Sequence, residues 1–229
     1  MTNLSGNTIT LGNTSLNEET LKFIKSYYDV PDNCTAGTTV ILDGIECLCI
    51  ATGVTIQGSS LTRIAVDKHH DLGYYQKYSQ INMDGAKVKY IKYWRWGRYD
   101  DLPSTTSNSR EVGYGLKNTI DWLADRFSYW SGVSSTNSEY PIIWQGVNDF
   151  RSAHSDKWFV PSHRELENYV YPYKSSLSFD TTIGGSPTDN YWSSSSITAK
   201  YAGFVNFNNG SESSQSKDTA YAVRLCRAF

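Results

Sequence analysis

The sequence predicts an α+β fold of mixed, mainly antiparallel short strands with flanking helices. Three observations carry that expectation. Residues 191–195, 201–208 and 221–228 read as short strands; in the second, Gly203, Val205 and Phe207 alternate with Ala202, Phe204, Asn206 and Asn208. Asp43-Gly44 lies between two apolar runs, as in a type I′ hairpin. Leu116, Ile120, Leu123 and Phe127 recur at helical spacing, with Trp122 alongside.

From the N-terminus, residues 1–15 are polar and lack a period, so they read as a tail or a joint. Asn17 can cap a helix that runs to about Tyr28, with Glu18 and Glu19 in its first turn and Pro31 beyond it. Leu21, Ile24, Lys25 and Tyr28 would form its inward stripe. Residues 38–42 and 45–51 make the hairpin, and residues 61–66 a third strand.

Residues 67–71 hold two Asp and two His, a composition that raises metal binding. On an extended chain those groups point apart, so the stretch reads as a polar loop and no metal is expected. Residues 74–99 interleave aromatics with Lys and Arg. This fits a stacking platform for single-stranded nucleic acid, or strands with a buried aromatic face and basic stems lying over it. The near-neutral charge favours the second.

Residues 100–110 form a Ser/Thr/Asn loop, and helices cover residues 113–127 and about 142–152. Gly113 and Gly115 read as a turn into the first of these, since no phosphate-loop pattern follows. Residues 158–160 form a short strand ended by Pro161. Ser162 and Glu165 make a capping box, with Leu166, Tyr169 and Val170 facing inward. After a Gly/Pro loop at 184–187 come the three C-terminal strands. Asn209-Gly210 turns the chain, and 211–219 is a polar tract. Val205, Phe207, Val223 and Leu225 face inward in this reading, with Ala222, Arg224 and Cys226 on the opposite side. The last run reads as the centre of a sheet, because an apolar terminal strand is stable when paired and buried.

The 229 residues suit one large domain or two small ones. With 21 basic against 23 acidic residues, the chain is no binder that works by neutralising phosphates, and no nucleic-acid partner is expected. Its 17 Tyr, 7 Trp and 8 Phe suit mixed cores and recognition surfaces. No apolar run approaches the roughly 20 residues of a membrane span, and no signal peptide is visible. The chain is therefore expected in the cytosol as made, or carried out of the cell on a particle. Cys34, Cys47, Cys49 and Cys226 match no zinc pattern. Cys47 and Cys49 are read as pointing to opposite faces of a strand, and all four as structural thiols.

No G-x-S-x-G elbow, H-E-x-x-H motif or Walker loop is present. His69, His154 and His163 could each act as a base, but none adjoins a recognisable nucleophile. No catalytic residue and no cofactor is expected.

The C-terminal run YWSSS, then VNFNNG, a polar tract and YAVRLCRAF resembles the C-type-lectin-fold variable proteins diversified by retroelements in phages and gut-type bacteria. Upstream, Trp158-Phe159-Val160-Pro161-Ser162 with Glu165-Leu166 is similar to an element of the same fold class, which includes formylglycine-generating enzymes. The stretches IAVDKHHDLGYY, Trp96-Gly97 and GYGLKNT add to the likeness, which covers roughly residues 35–229. It implies a C-type-lectin-like domain over 16–229 with an N-terminal elaboration, and a variable region over about 190–229. The enzymes of that class use a cysteine pair in the C-terminal core, where this chain has Cys226 alone. The calcium-binding triplets of the lectins, E-P-N, Q-P-D and W-N-D, are also absent.

The resemblance further implies mutation at adenines of Asn codons. These codons reach Tyr, Ser, Thr, Ala, Gly, Asp, Ile and Phe, but not Lys, Glu, Gln, Trp or Met. The expected ligand-binding residues are Ile197, Thr198, Tyr201, Phe204, Asn206, Asn208, Ser211, Ser213, Ser214, Ser216, Asp218, Ala220 and Ala222. Trp192, Lys200, Glu212, Gln215 and Lys217 lie among them and are not reachable. An exposed Phe204 beside Tyr201 is expected as the anchor. The implied function is non-enzymatic binding of a host-surface or environmental protein or glycan, from a phage tail (virion) or bacterial cell surface. Several copies, as in a homo-oligomer, would add avidity. A carbohydrate-binding adhesin with a fixed site is the alternative.

Overall fold

The computed structural model describes residues 8–11, 14–17, 34–77, 88–97, 109–131, 141–178 and 189–229. It is β-rich, with antiparallel strand pairs and a few helices. The strands are β1 (Thr8–Leu11), β2 (Thr14–Asn17), β3 (Thr39–Leu42), β4 (Ile45–Thr52), β5 (Arg63–Asp67), β6 (Tyr74–Lys77), β7 (Val88–Ile91) and β8 (Trp94–Arg95). Helices α1 (Gly115–Ser131) and α2 (Ile143–Ala153) follow, then β9 (Trp158–Phe159). A short α3 (His163–Glu165) continues as a π turn to Val170 and a 3-10 segment to Ser176. The chain closes with β10 (Asn190–Ser196), β11 (Tyr201–Asn206), β12 (Glu212–Ser216), β13 (Ala220–Tyr221) and β14 (Cys226–Ala228).

A five-stranded sheet, ordered β3-β4-β5-β14-β9, is the frame. Its first hairpin turns where the sequence marks it: Asp43 and Gly44 have φ of 51° and 77°, the left-handed pair a type I′ turn requires. The Asp43 carboxylate also receives Arg227 Nε at 2.6 Å and Trp158 Nε1 at 2.8 Å, which ties the turn to β14 and β9. β14 lies between β5 and β9, so the C-terminal strand is interior, as expected. Both faces of the sheet are buried. Cys47, Cys49 and Ala65 face one core with Trp94, Trp96, Trp122, Trp144, Trp158 and Trp192. Leu48, Ile50, Ile64, Val66, Cys226 and Ala228 face the other, with Phe159, Leu166, Tyr191, Val205 and Phe207.

Several expectations are corrected here. Cys47 and Cys49 share one face, because strand residues two apart point the same way. All four cysteines are free and buried. Residues 8–11 and 14–15 of the expected tail, with Leu16 and Asn17, form the antiparallel pair β1–β2, which holds Asn17 opposite Thr8. The rest of the helix expected over 17–28 lies outside the described residues, as do most of the loop at 100–110 and the Gly/Pro loop at 184–187.

Helix α1 presents Leu116, Asn118, Thr119 and Trp122 inward, whereas Ile120 is 40 % exposed. The helix is thus rotated from its apolar stripe: Asn118 Nδ2 donates to Ser109 O and Ser194 Oγ, and Thr119 Oγ1 accepts from Val160 N.

The last run is two strands rather than one. β13 pairs with β8, residues 223–225 cross between sheets, and β14 joins the frame. The crossing is held by Leu72 N donating to Val223 O and Asp67 N to Leu225 O. Ala202, Ala222 and Arg224, expected to face outward, are fully buried.

Candidate ligand-binding face

The three-stranded sheet β10-β11-β12 carries most of the expected binding residues. Its first strand, β10, ends in a buried run of serines, Ser193 to Ser196, whose hydroxyls are all engaged. Ser193 Oγ donates to Gly203 O, Ser195 Oγ to Ser109 O, and Ser196 Oγ to Thr198 O. Trp192 and Tyr191 point to opposite cores.

β11 pairs with β12 in the register Tyr201↔Ser216, Gly203↔Ser214 and Val205↔Glu212. The tract at 211–219, expected as a loop, therefore contains a strand. Nothing in Glu-Ser-Ser-Gln-Ser has an apolar period. The ladder with β11 and an anchor at each end impose the extended form.

The first anchor is Glu212. Its Oε2 lies 3.2 Å from Arg110 Nη2, 3.2 Å from Arg164 Nη1 and 3.4 Å from His163 Nε2. The capping box places these groups: Ser162 Oγ accepts from Glu165 N, and Glu165 Oε2 accepts from Ser162 N at 2.7 Å, so His163 and Arg164 open α3 directly beneath β12. His163 is buried against Gly203, where a Cβ would stand 2.6 Å from its Nδ1, so the strand must have glycine there.

The second anchor is Lys217, fully buried just past β12. Its Nζ lies 4.7 Å from the Trp96 ring centre and 5.4 Å from that of Trp122. Trp144 stacks on Trp122 at 5.9 Å and meets Trp96 edge-on at 5.2 Å, completing an indole box. Desolvated cation–π contacts of this kind contribute about 2 kcal/mol or more.

Between the anchors the expected residues divide. Thr198, Tyr201, Asn208, Ser211, Ser213, Ser214 and Asp218 are exposed; Ile197, Phe204, Asn206, Ser216 and Ala220 are half-buried; Ala222 lies in the core. Ala222 is excluded from the outward face because its backbone pairs in parallel with Tyr191 and its side chain packs on the apolar core. Phe204 is not the exposed anchor expected. Its ring packs edge-on against Trp192 at 6.3 Å and Tyr221 at 4.9 Å. Tyr201, 41 % exposed, is the large side chain that stands out.

The set also falls into two groups. Thr198, Tyr201, Ser216 and Asp218 lie at one end of the sheet, where Thr198 Oγ1 accepts from Tyr201 N and Ser216 Oγ bonds Asp218 Oδ1. Asn206, Asn208 and Ser211 lie at the other. Along β11 the two ends are about 17 Å apart at 3.3–3.4 Å per residue, with Ser213 and Ser214 between them. The far turn is pinned by hydrogen bonds: Asn206 Oδ1 accepts from Asn208 N, Asn209 Oδ1 accepts from Ser211 N, and Lys174 Nζ holds Phe207 O at 2.7 Å. Gly210 has φ of 77°, and a Cβ there would meet the Tyr171 ring at 2.4 Å.

Sequence reasoning missed Arg110, His163 and Arg164 as supports of this face. The available signal was Glu212 and Lys217 themselves, which with Gln215 are the three residues of 211–219 that the expected adenine mutation does not reach.

Among the candidate bases, His69 Nε2 faces Glu46 at 3.0 Å, and His154 packs on Phe150 at the end of α2. Cys226 is fully buried, and burial pushes its thiol well up. In the loop at 67–71, Asp67 Oδ1 takes the N–H groups of His69 and His70. No group of three or more metal-holding side chains occurs among the described residues. In the aromatic stretch, Trp94 and Trp96 are buried and Lys92 is buried in an ion pair with Asp189 at 2.6 Å. No helix among the described residues is long and apolar enough to cross a membrane.

Glu165 and His163 make the support of the face sensitive to pH. Burial raises the Glu165 carboxyl to about 7, while N–H donors of Ser162, Gly113 and Gly115 hold it from going higher. The folded state then holds this proton more tightly than the unfolded chain. The resulting stability, on the order of 3 kcal/mol, is fully present below the ordinary carboxylate range and lost as pH rises through about 7. His163 acts in the opposite sense. Burial, and then Arg110, lower its pKa, so its share is present above the ordinary histidine value and lost as pH falls through the folded one. Thermal melts from pH 4 to 9 should show stability falling as pH rises from about 4.5 to about 7 and levelling off above that, and Glu165→Gln should remove that fall. Parallel curves for the two proteins would assign the effect elsewhere.

No family model matches the chain, and no curated protein matches it. Among solved structures, a fimbrial protein from Bacteroides ovatus is similar at 14% identity and a TM-score of 0.43, over 86% of this chain. The match spans 44% of that protein, so this chain covers less than half of its length.

Proposed function

We propose that the chain is a non-enzymatic binding protein that presents exchangeable side chains on β11, β12 and their turns, above a fixed frame. The observation that carries this reading is the division within 211–218. Glu212 is itself exposed but tied to Arg110 and Arg164, and Lys217 is buried in the indole box, whereas Ser211, Ser213, Ser214 and Asp218 stand at the surface. Exchange at such exposed sites costs little, within about 0.5 kcal/mol each, while the anchors keep the strand in register. The resemblance of the C-terminal motif to retroelement-diversified lectin-fold proteins supports a hypervariable face displayed on a phage tail or cell surface. Its partner is a host or environmental protein or glycan. Tyr201 supplies the broad aromatic contact, and the serines supply adaptable hydrogen bonds. The exposed set is smaller than a standard interface of roughly 20–30 residues a side, so avidity from several copies fits it.

Sequencing this segment of the gene across a population tests the reading. Changes are expected at Thr198, Tyr201, Asn208, Ser211, Ser213 and Ser214, with Gly203, Glu212, Lys217 and Ala222 constant. Changes spread evenly over anchors and exposed sites would overturn it. In the purified protein, Ser213→Tyr and Ser214→Asn should each move the unfolding free energy by no more than about 0.5 kcal/mol.

A further inference from the structure

We infer that a groove between α2 and the loop at 67–73, built from residues outside the exchangeable segment, is a second and fixed binding site for a neutral glycan. Two hollows of about 550 and 570 Å³ meet there and share Leu72, Gly73, Phe150 and His154. Each falls within the roughly 300–1,000 Å³ of ligand pockets.

One wall is α2, with Gln145 and Asp149 four residues apart on the same helix face. Trp94 lines the first hollow and packs over Gly146, where a Cβ would stand 2.3 Å from the indole. A mid-helix glycine costs about 1 kcal/mol against alanine, and here it makes room for that ring. The Phe150 and His154 rings lie 4.5 Å apart and tilted by 37°, forming an aromatic wall common to both hollows.

The chemistry of the lining selects the ligand class. An aromatic wall offers a surface for the C–H face of a sugar ring, and the Asp149 carboxylate and Gln145 amide offer partners for hydroxyls. No Lys or Arg occurs among the described lining residues, and Glu46, Asp67, Asp71 and Asp149 are all acidic. An anionic sugar would meet these four carboxylates, with only the imidazoles of His69, His70 and His154 to receive it. A basic peptide is disfavoured as well, because the second hollow's carboxylates are already engaged. Glu46 is held by Lys68 at 2.6 Å and by His69, Asp67 takes two N–H groups, and Asp71 pairs with Arg224 at 2.8 Å.

The test is an array of neutral, sialylated and sulfated oligosaccharides probed with the full chain, followed by titration calorimetry on the strongest neutral binder. Neutral glycans should be captured. The Gln145→Ala/Asp149→Ala variant should weaken binding at least tenfold at an unchanged melting temperature, and Tyr201→Ala should leave it within twofold. Gln145→Asn/Asp149→Asn, which keeps polar groups on the wall, covers the case in which the alanine pair fails to fold and should bind measurably. The inference is overturned if no neutral glycan is captured, if only charged glycans or basic peptides are held, or if binding survives the alanine pair. It is also overturned if Tyr201→Ala alone abolishes binding, which would move the glycan to the β11–β12 face. Failure of the exchangeable-face reading would instead show in the population sequences, independently of the groove.

Discussion

Arg224→Ala is expected to lower stability by about 3–5 kcal/mol, the usual loss when one partner of a buried ion pair is removed. Against a total of roughly 5–15 kcal/mol, this brings the chain close to unfolding. Arg224 is fully buried where the chain crosses from β13 to β14. Its Nε lies 2.8 Å from Asp71 Oδ1, Nη1 donates to Asp67 O at 3.1 Å, and Nη2 donates to Ser178 O at 2.9 Å. Tyr191 OH donates to the other Asp71 oxygen at 3.1 Å. Alanine would leave a buried carboxylate facing a hole. Because that uncompensated charge is the main penalty, Arg224→Met with Asp71→Leu should recover much of the loss. Urea unfolding of the three proteins measures this. A loss below about 1 kcal/mol in Arg224→Ala would show that the crossing does not depend on the pair.

Lys217→Ala is expected to cost about 3 kcal/mol. Two terms contribute: about 2 kcal/mol for a desolvated cation–π contact, and the packing lost with a fully buried aliphatic stem. Lys217→Met separates them, since it keeps most of the stem and removes the charge. Denaturant unfolding gives the total, and the emission of Trp96 and Trp122 reports on the box directly. Loss of the anchor should also speed amide exchange along β12 while leaving β4 and β5 unchanged. Uniform acceleration would mean that Lys217 supports the whole core rather than β12.

What was legible in the sequence is what local chemistry decides. Asp43-Gly44 marked its hairpin because few other residue pairs adopt two successive positive φ angles at so little cost. Ser162 and Glu165 marked the start of α3 because a capping box satisfies helix N–H groups within four residues. β12 was not legible, since a Ser-rich strand has no apolar period and is extended only because β11 and two distant anchors hold it. The break at 223–225 was hidden for a related reason: an alternating run looks continuous until Arg224 finds Asp71, which no spacing reveals. The same holds for α1, where Asn118 and Thr119 face inward to partners on Ser109 and Val160, and for Phe204, which the rings of Trp192 and Tyr221 draw back from the surface. The candidate face was thus legible as a segment but not as a surface.

The position of β14 has a consequence for chains that end early. The strand that joins β5 to β9 is translated after residues 197–222, which hold the whole candidate face. A stop codon or frameshift anywhere in that stretch removes it and leaves two strands of the frame without their shared neighbour. Such a product cannot close the sheet, and its open strand edges and exposed apolar faces leave it to quality-control proteases. Substitutions that keep the reading frame leave β14 intact. Chain order therefore works as an inspection step, and only chains read through to β14 complete the frame on which β10, β11 and β12 rest.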